Sequence, residues 1–173
     1  MILRCTKTVL QLIAASPDEL VKAEPTDADW YANLFSLNRR RWLLLAHAGT
    51  LFPVLAAGVH KVDLLPIGRA TIRLIRQELA AEELPPDSLG QLDPDSIRLA
   101  KTASRSVLGY MNEMVAYCRL ATQGGLQGCD LKSINRDLRR ELHLSRRPPG
   151  YFVPIDLVRE RVASLRPDLK IVT

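Results

Sequence analysis

The chain has 173 residues, with 24 Lys+Arg against 19 Asp+Glu, a formal charge of +5, 47% hydrophobic and 25% charged residues. This ordinary globular composition excludes long disorder, a collagen-like repeat and a disulfide scaffold. The length suits one domain with a substantial core.

Ile2 to Cys5 reads as a short strand, and Lys7 to Ala15 as a helix with Thr6 at its N-cap. No cleavage pattern follows, and no run reaches the ~20 apolar residues that cross a bilayer. The expectation is a cytoplasmic protein without membrane contact. Trp30 to Leu37, Arg41 to His47 and Thr50 to Ala57 read as an antiparallel meander, turned at Asn38-Arg39-Arg40 and at Ala48-Gly49. Pro53 has no N–H, so the last strand belongs at an edge or is bent. The leucine-rich stretch 41–48 also suits a helix, but turn residues at both ends favour the meander.

Pro66 to Glu83 is helical, with Ile72, Ile75 and Leu79 on one face. Residues 84–94 form a Pro- and Gly-containing loop, and Ser96 to Thr102 suits a strand or a short helix. Ser104 to Ala121 is an amphipathic helix with Val107, Met111, Met114, Val115 and Cys118 inward, closed by Gly124-Gly125. Asp130 caps a helix with Leu131, Ile134, Leu138 and Leu142 as its apolar line, broken at Arg146 to Gly150. Pro154 opens a last helix, with Ile155, Val158, Val162 and Leu165 inward, stopped by Arg166-Pro167. These elements predict an α+β fold. A small antiparallel β-meander, about residues 2–5, 30–37, 41–47 and 50–57, packs against four or five α-helices as a single domain over 1–173.

Cys5, Cys118 and Cys129 are an odd number without C-x-x-C spacing. Reduced structural thiols are expected, with no metal site. H-E-x-x-H, G-x-G-x-x-G, P-loop and G-x-S-x-G patterns are absent, and no cofactor is expected. The charge is uneven. Residues 1–90 hold ten basic and ten acidic side chains, whereas residues 91–173 hold 14 and nine and carry the whole +5. The densest part runs from Lys132 to Arg147. Such asymmetry points to an anionic partner, nucleic acid or an acidic protein, although the stripe lacks interleaved aromatics.

Several stretches occur together: Arg4-Cys5-Thr6-Lys7, Asp29-Trp30-Tyr31-Ala32-Asn33, Arg39-Arg40, Arg105-Ser106-Val107-Leu108-Gly109 with Met111-Asn112-Glu113, Gly124-Gly125-Leu126, Asn135-Arg136, and Gly150-Tyr151 with Pro154. In this order they resemble a family of small prokaryotic proteins that is a domain of unknown function, with D-W-Y-A-N and R-S-V-L-G-x-M-N motifs. The family usually has Asp where Glu113 stands, so an acid is kept. The resemblance covers nearly the whole chain and implies one compact unit. It implies no activity.

Three surfaces are candidates. On the helix from Ser104, the residues Arg105, Gly109, Asn112 and Glu113 fall at i, i+4, i+7 and i+8, opposite the apolar stripe. Glycine inside a helix costs about 1 kcal/mol relative to alanine. A close neighbour is therefore expected at Gly109. It is either a packed helix, with Arg105 and Glu113 paired structurally, or a ligand clamped by Arg105 and oriented by Asn112. The second surface is Tyr31 and Asn33, which share a strand face, with Arg39-Arg40-Arg41. Aromatic and cation together suit a stacked base and a phosphate; a core strand ending in a solvated turn is the plainer account. In the third, Lys132, Arg136, Arg139, Arg140 and His143 share one side of a helix, as a phosphate-binding face or a solvated one. Arg136 and His143 also show the R-x6-H spacing of some RNA-cleaving helical domains, whose all-helical fold the meander does not fit.

The leading expectation is a bacterial binding or regulatory protein that meets an anionic partner through its basic C-terminal helical face. Arg136, Arg139 and Arg140 supply charge, and Arg105 with Asn112 supplies specificity. One alternative is an enzyme on a phosphorylated or nucleic-acid substrate, with Arg105 as clamp and Glu113 or a histidine as base. Another is a component of a two-gene cassette that docks through its aromatic strand.

Overall fold

The structure, a computed structural model, describes residues 1–123, 130–146 and 149–165. In chain order the elements are β1 (Ile2–Cys5), α1 (Lys7–Ile13), β2 (Trp30–Leu37), β3 (Arg40–His47), β4 (Pro53–Ala57), α2 (Ile67–Ala81), β5 (Arg98–Lys101), α3 (Arg105–Ala121), α4 (Leu131–Arg140), β6 (His143–Arg146), β7 (Pro149–Phe152) and α5 (Pro154–Leu165).

The first five strands form one sheet in the order β4-β3-β2-β1-β5. The expected meander is present: β2 pairs antiparallel with β3, and β3 with β4. β1 differs from the expectation, because it lies parallel to both β2 and β5. The cause is its connection. α1 and the long segment after it carry the chain back before β2 begins, which makes neighbours parallel, whereas a tight turn makes them antiparallel.

Successive residues of a strand point to opposite faces. Along β3, Leu43 and Leu45 join one buried cluster with Trp30, Ala32 and Val54, while Trp42, Leu44 and Ala46 join another with Tyr31 and Leu55. α1, α2 and α5 cover the first face through residues such as Val9, Ile75, Leu79 and Val158. α3 and α4 cover the second through Val107, Met111, Met114, Ile134 and Leu138. The fold is α+β with helices on both sides of the sheet. A middle strand buried on both faces reads as a continuous apolar run, which is why 41–48 also resembled a helix.

β4 lies at the sheet edge, as Pro53 requires. Its open backbone is closed by one side chain of α4. The Leu55 N–H donates to Asn135 Oδ1 at 2.8 Å, and Asn135 Nδ2 donates to the Leu55 carbonyl at 2.9 Å. This satisfies groups that an exposed edge would offer to another strand. At the far edge, the Val21 N–H donates to the Leu99 carbonyl of β5 at 2.8 Å.

The helix from Asp130 is shorter than its apolar line suggested. α4 stops at Arg140, Leu142 is exposed, and His143 begins a two-stranded sheet with β7. Arg146, Pro149 and Gly150 thus belong to hairpin strands rather than to the end of a helix. Alternation explains it: His143 and Phe152 face inward against Tyr110, while Leu144 and Tyr151 face out. In α5, Leu165 is exposed rather than inward. Gly124-Gly125, Leu126, Cys129 and Arg166-Pro167 lie outside the described residues. No helix among the described residues is long and apolar enough to cross a membrane.

Candidate functional site

The three candidate surfaces have very different fates. On α4, Arg139 is almost fully buried. Its guanidinium bonds to Glu78 on α2 and, at 2.9 Å, to Glu82 at the C-cap of α2, and lies 5.0 Å from the centre of the Phe52 ring. Arg140 bonds Glu82 at 2.6 Å. Burial pushes the Glu82 carboxyl up, but its bonds to Arg140 and Arg139 outweigh this and hold it below the usual range. These two arginines clamp α4 to α2. Of the expected basic face, Lys132 and Arg136 stay exposed, with a loose contact of 3.8 Å from Arg136 to Asp137. His143 does not belong to the face, because it sits on β6. The R-x6-H spacing therefore spans a helix end and places nothing on a common surface.

The second surface is divided between the ends of β2. Tyr31 is fully buried near the start of the strand, where its hydroxyl oxygen accepts the Ser104 N–H at 3.1 Å. Asn33 is partly buried on the same face. Arg39 lies past the other end, about 26 Å along an extended strand. Tyr31 and Trp30 are buried core residues of a middle strand covered on both faces.

The arginines themselves stand apart from that core. β2 and β3 are joined by Asn38 and Arg39, with Leu37 paired to Arg40. Both turn residues have positive φ, 49° and 59°, the pattern of a type I′ hairpin turn. The second position favours glycine, and an L-residue such as arginine costs about 1 kcal/mol there. Arg39, Arg40 and Arg41 are all exposed, and none makes an ion pair among the described residues. With Gly58, Val59 and His60 they line a groove of about 590 Å³. Alternation sends Arg40 and Arg41 to opposite faces of the ribbon.

The first surface, on α3, is exposed along its length: Arg105, Gly109, Asn112 and Glu113 all face solvent. The packed-helix account of Gly109 fails, because a Cβ placed there would meet no heavy atom of the described residues within 4 Å. Arg105 and Glu113 do not pair. Instead Glu113 Oε2 lies 3.6 Å from Nδ1 of His143. That ring is buried, stacked on Phe152 and edge-on to Tyr110, and its Nε2 has no partner among the described residues. Ser104 and Ser106 line a cleft at the start of α3, but Arg105, Asn112 and Glu113 do not. The clamp, the amide and the base of the enzyme reading thus do not converge on one cavity.

Other motif residues turn out to be structural. Arg4 and Asp29 form a buried pair 2.5 Å apart. Arg4 also donates to the carbonyls of Ala23 at 2.9 Å and Lys101 at 3.3 Å, and Asp29 accepts from the Thr26 N–H and hydroxyl. A buried charge pair is tolerable when its remaining groups are satisfied in this way. Burial also pushes the Cys5 thiol up to about 12, so it stays protonated. Among the described residues no cluster of His, Cys, Asp or Glu has the makings of a metal site.

Residues 2–157 match the sequence family described as "Domain of unknown function (DUF6933)". No curated protein matches the chain.

Proposed function

We infer that this chain, which belongs to the family described as Domain of unknown function (DUF6933), is a binding protein that engages the phosphates of a nucleic acid through its arginine hairpin. The observation that carries this reading is the trio Arg39, Arg40 and Arg41, exposed together at the tip of a tight turn without acidic partners among the described residues. Arg39 supports it further, because its side chain is kept at a backbone position that glycine would occupy at lower cost. Strain of this kind marks a functional position.

Nucleic acid is favoured over an acidic protein by what surrounds the tip. Ser36 and Asn38 are exposed and polar, and Lys61 follows His60 beside the groove. A protein interface centres on desolvated apolar anchors, whereas a nucleic-acid interface is polar and strongly positive. No aromatic side chain is exposed at the tip, since Trp42 is buried and Phe35 partly so. The contact therefore reads phosphates more than bases. On the C-terminal helical face, Lys132 and Arg136 supply additional charge, while Arg139 and much of Arg140 are neutralised by α2. Arg105 and Asn112 on α3 are the candidates for specificity.

Fluorescence anisotropy with a labelled duplex at several salt concentrations tests this. Binding should weaken steeply with salt, and the variant carrying Arg39→Ala, Arg40→Ala and Arg41→Ala should lower the log–log slope by about 3. Absent binding, salt-insensitive binding or an unchanged slope in that variant overturns the proposal. Tighter binding to polyglutamate than to the duplex would move the reading to an acidic protein.

A further inference from the structure

The arginine hairpin has a shape as well as a charge. β2 and β3 run as a ribbon from the Phe35–Trp42 pair to the turn at Asn38 and Arg39. Trp42 is buried, whereas Arg39, Arg40 and Arg41 are exposed. Three residues of extended chain carry the tip roughly 10 Å past Trp42. The neighbouring strand leaves the ribbon early. β4 ends at Ala57, opposite Trp42, and Gly58 turns the chain with a φ of 69°. Val59 then packs into the core, its N–H donating to the Arg41 carbonyl at 3.0 Å. The β2–β3 turn continues outward without it.

The charge of this region has one sign. Residues 30–62 contain Arg39, Arg40, Arg41 and Lys61 and no Asp or Glu. Of the acids that bracket the stretch, Asp29 is paired with Arg4 at the other end of β2, and Asp63 accepts the His60 N–H at 2.7 Å. The groove beside the tip has no carboxylate in its lining. Arg40 and Arg41 leave opposite faces of the ribbon. Cations on both faces suit two rows of phosphates, one on each side, better than a single row.

The forms of nucleic acid differ in this respect. The major groove of B-form DNA is about 12 Å wide and about 8.5 Å deep, and it admits a two-stranded ribbon. A phosphate row borders it on either side. The projection of the tip matches that depth, and the half-width of about 6 Å lies within reach of an extended arginine. The major groove of an A-form RNA duplex is too narrow for side chains to read. A single strand offers one phosphate row and is held by stacking on aromatic side chains. The tip exposes none, since Trp42 is buried and Phe35 partly so.

We propose, resting on the phosphate-binding role of the hairpin, that its partner is double-stranded B-form DNA and that the hairpin enters the major groove tip first. Arg40 and Arg41 meet the phosphates of the two strands, and Asn38 and Arg39 face the floor of the groove.

Fluorescence anisotropy at one fixed salt concentration tests the proposal, with a labelled DNA duplex of mixed sequence, one of its strands alone, and the RNA duplex of the same sequence. The DNA duplex should bind about tenfold more tightly than either other probe. The protein should displace methyl green, which occupies the major groove, and leave netropsin in the minor groove. Arg40→Ala and Arg41→Ala should each lower the log–log salt slope for the DNA duplex by about 1. Arg39→Gly suits the positive φ of the turn. It should weaken duplex binding while the thermal midpoint stays unchanged or rises. Equal or tighter binding of the single strand or the RNA duplex, or retention of methyl green, overturns the DNA-groove assignment and leaves the phosphate-binding role standing. Absence of binding to all three probes, or duplex binding that none of the substitutions changes, overturns both.

Discussion

Acidification titrates one buried imidazole, that of His47, against the fold. The ring is fully buried, edge-on to Trp30 at 5.3 Å between centroids. Nδ1 lies 3.0 Å from Thr50 Oγ1, and Nε2 has no partner among the described residues. Burial first, and Arg161 second, push its pKa down from 6.5 to about 4, with Asp29 pulling weakly the other way. Between those two values the unfolded chain binds the proton and the folded protein does not. Stability is therefore fully present above the unfolded value and is lost as the pH falls from 6.5 towards 4. A displacement of this size corresponds to about 3 kcal/mol, a large share of the stability of an ordinary domain. Urea unfolding at steps across this pH range measures it. His47→Gln should be less stable at neutral pH yet show a flatter pH dependence, because the carboxylates titrate in both proteins and cancel in the difference. Arg161→Met removes the second cause and should move the wild-type inflection to higher pH. Parallel curves for wild type and His47→Gln across the window would refute the argument.

The structure makes two further predictions about stability. Gly109→Ala adds a methyl group to an open helix surface, so it should stabilise the protein by about 1 kcal/mol, seen as a higher urea midpoint at unchanged slope. A loss of stability would mean that the surface is not open. Arg139→Met leaves Glu78 and Glu82 with one cation between them and should cost about 3 kcal/mol or more. Arg136→Met, three residues earlier and exposed, should stay within about 0.5 kcal/mol. Equal effects in the two variants, read by the same denaturation assay, would contradict the burial difference.

Much of the architecture was legible because it depends on short-range pattern. The period of Val107, Met111, Met114 and Cys118 marks α3, and the same residues are buried in it. Asp130 caps α4 as its chemistry suggests, accepting from the Lys132 N–H at 3.1 Å. Pro53 excludes its strand from a sheet interior, and β4 is an edge strand. β5 was ambiguous because four residues carry too little period to separate strand from helix. The β6–β7 hairpin was missed for a related reason: Leu142 and Leu144 continue an apolar count that does not reveal where the helix stops.

The candidate surfaces were less legible, because a one-dimensional charge pattern cannot tell a solvated arginine from a buried one. Arg136, Arg139 and Arg140 look alike in sequence and share one side of the helix, yet Arg139 and Arg140 meet carboxylates of another element while Arg136 stays exposed. Only the approach of α2, about 60 residues earlier in the chain, supplies the two carboxylates that take up Arg139 and Arg140. Arg4 with Asp29, Asn135 with Leu55, and Glu113 with His143 are likewise partners across long separations. Local propensity and hydrophobic period, which are properties of neighbouring residues, determined the elements and the α+β class. Long-range packing alone decided the parallel entry of β1, the second helical layer and the sorting of basic residues into clamps and exposed cations. Burial and charge pairing are relations between distant segments, and they come into being only when the sheet brings those segments together.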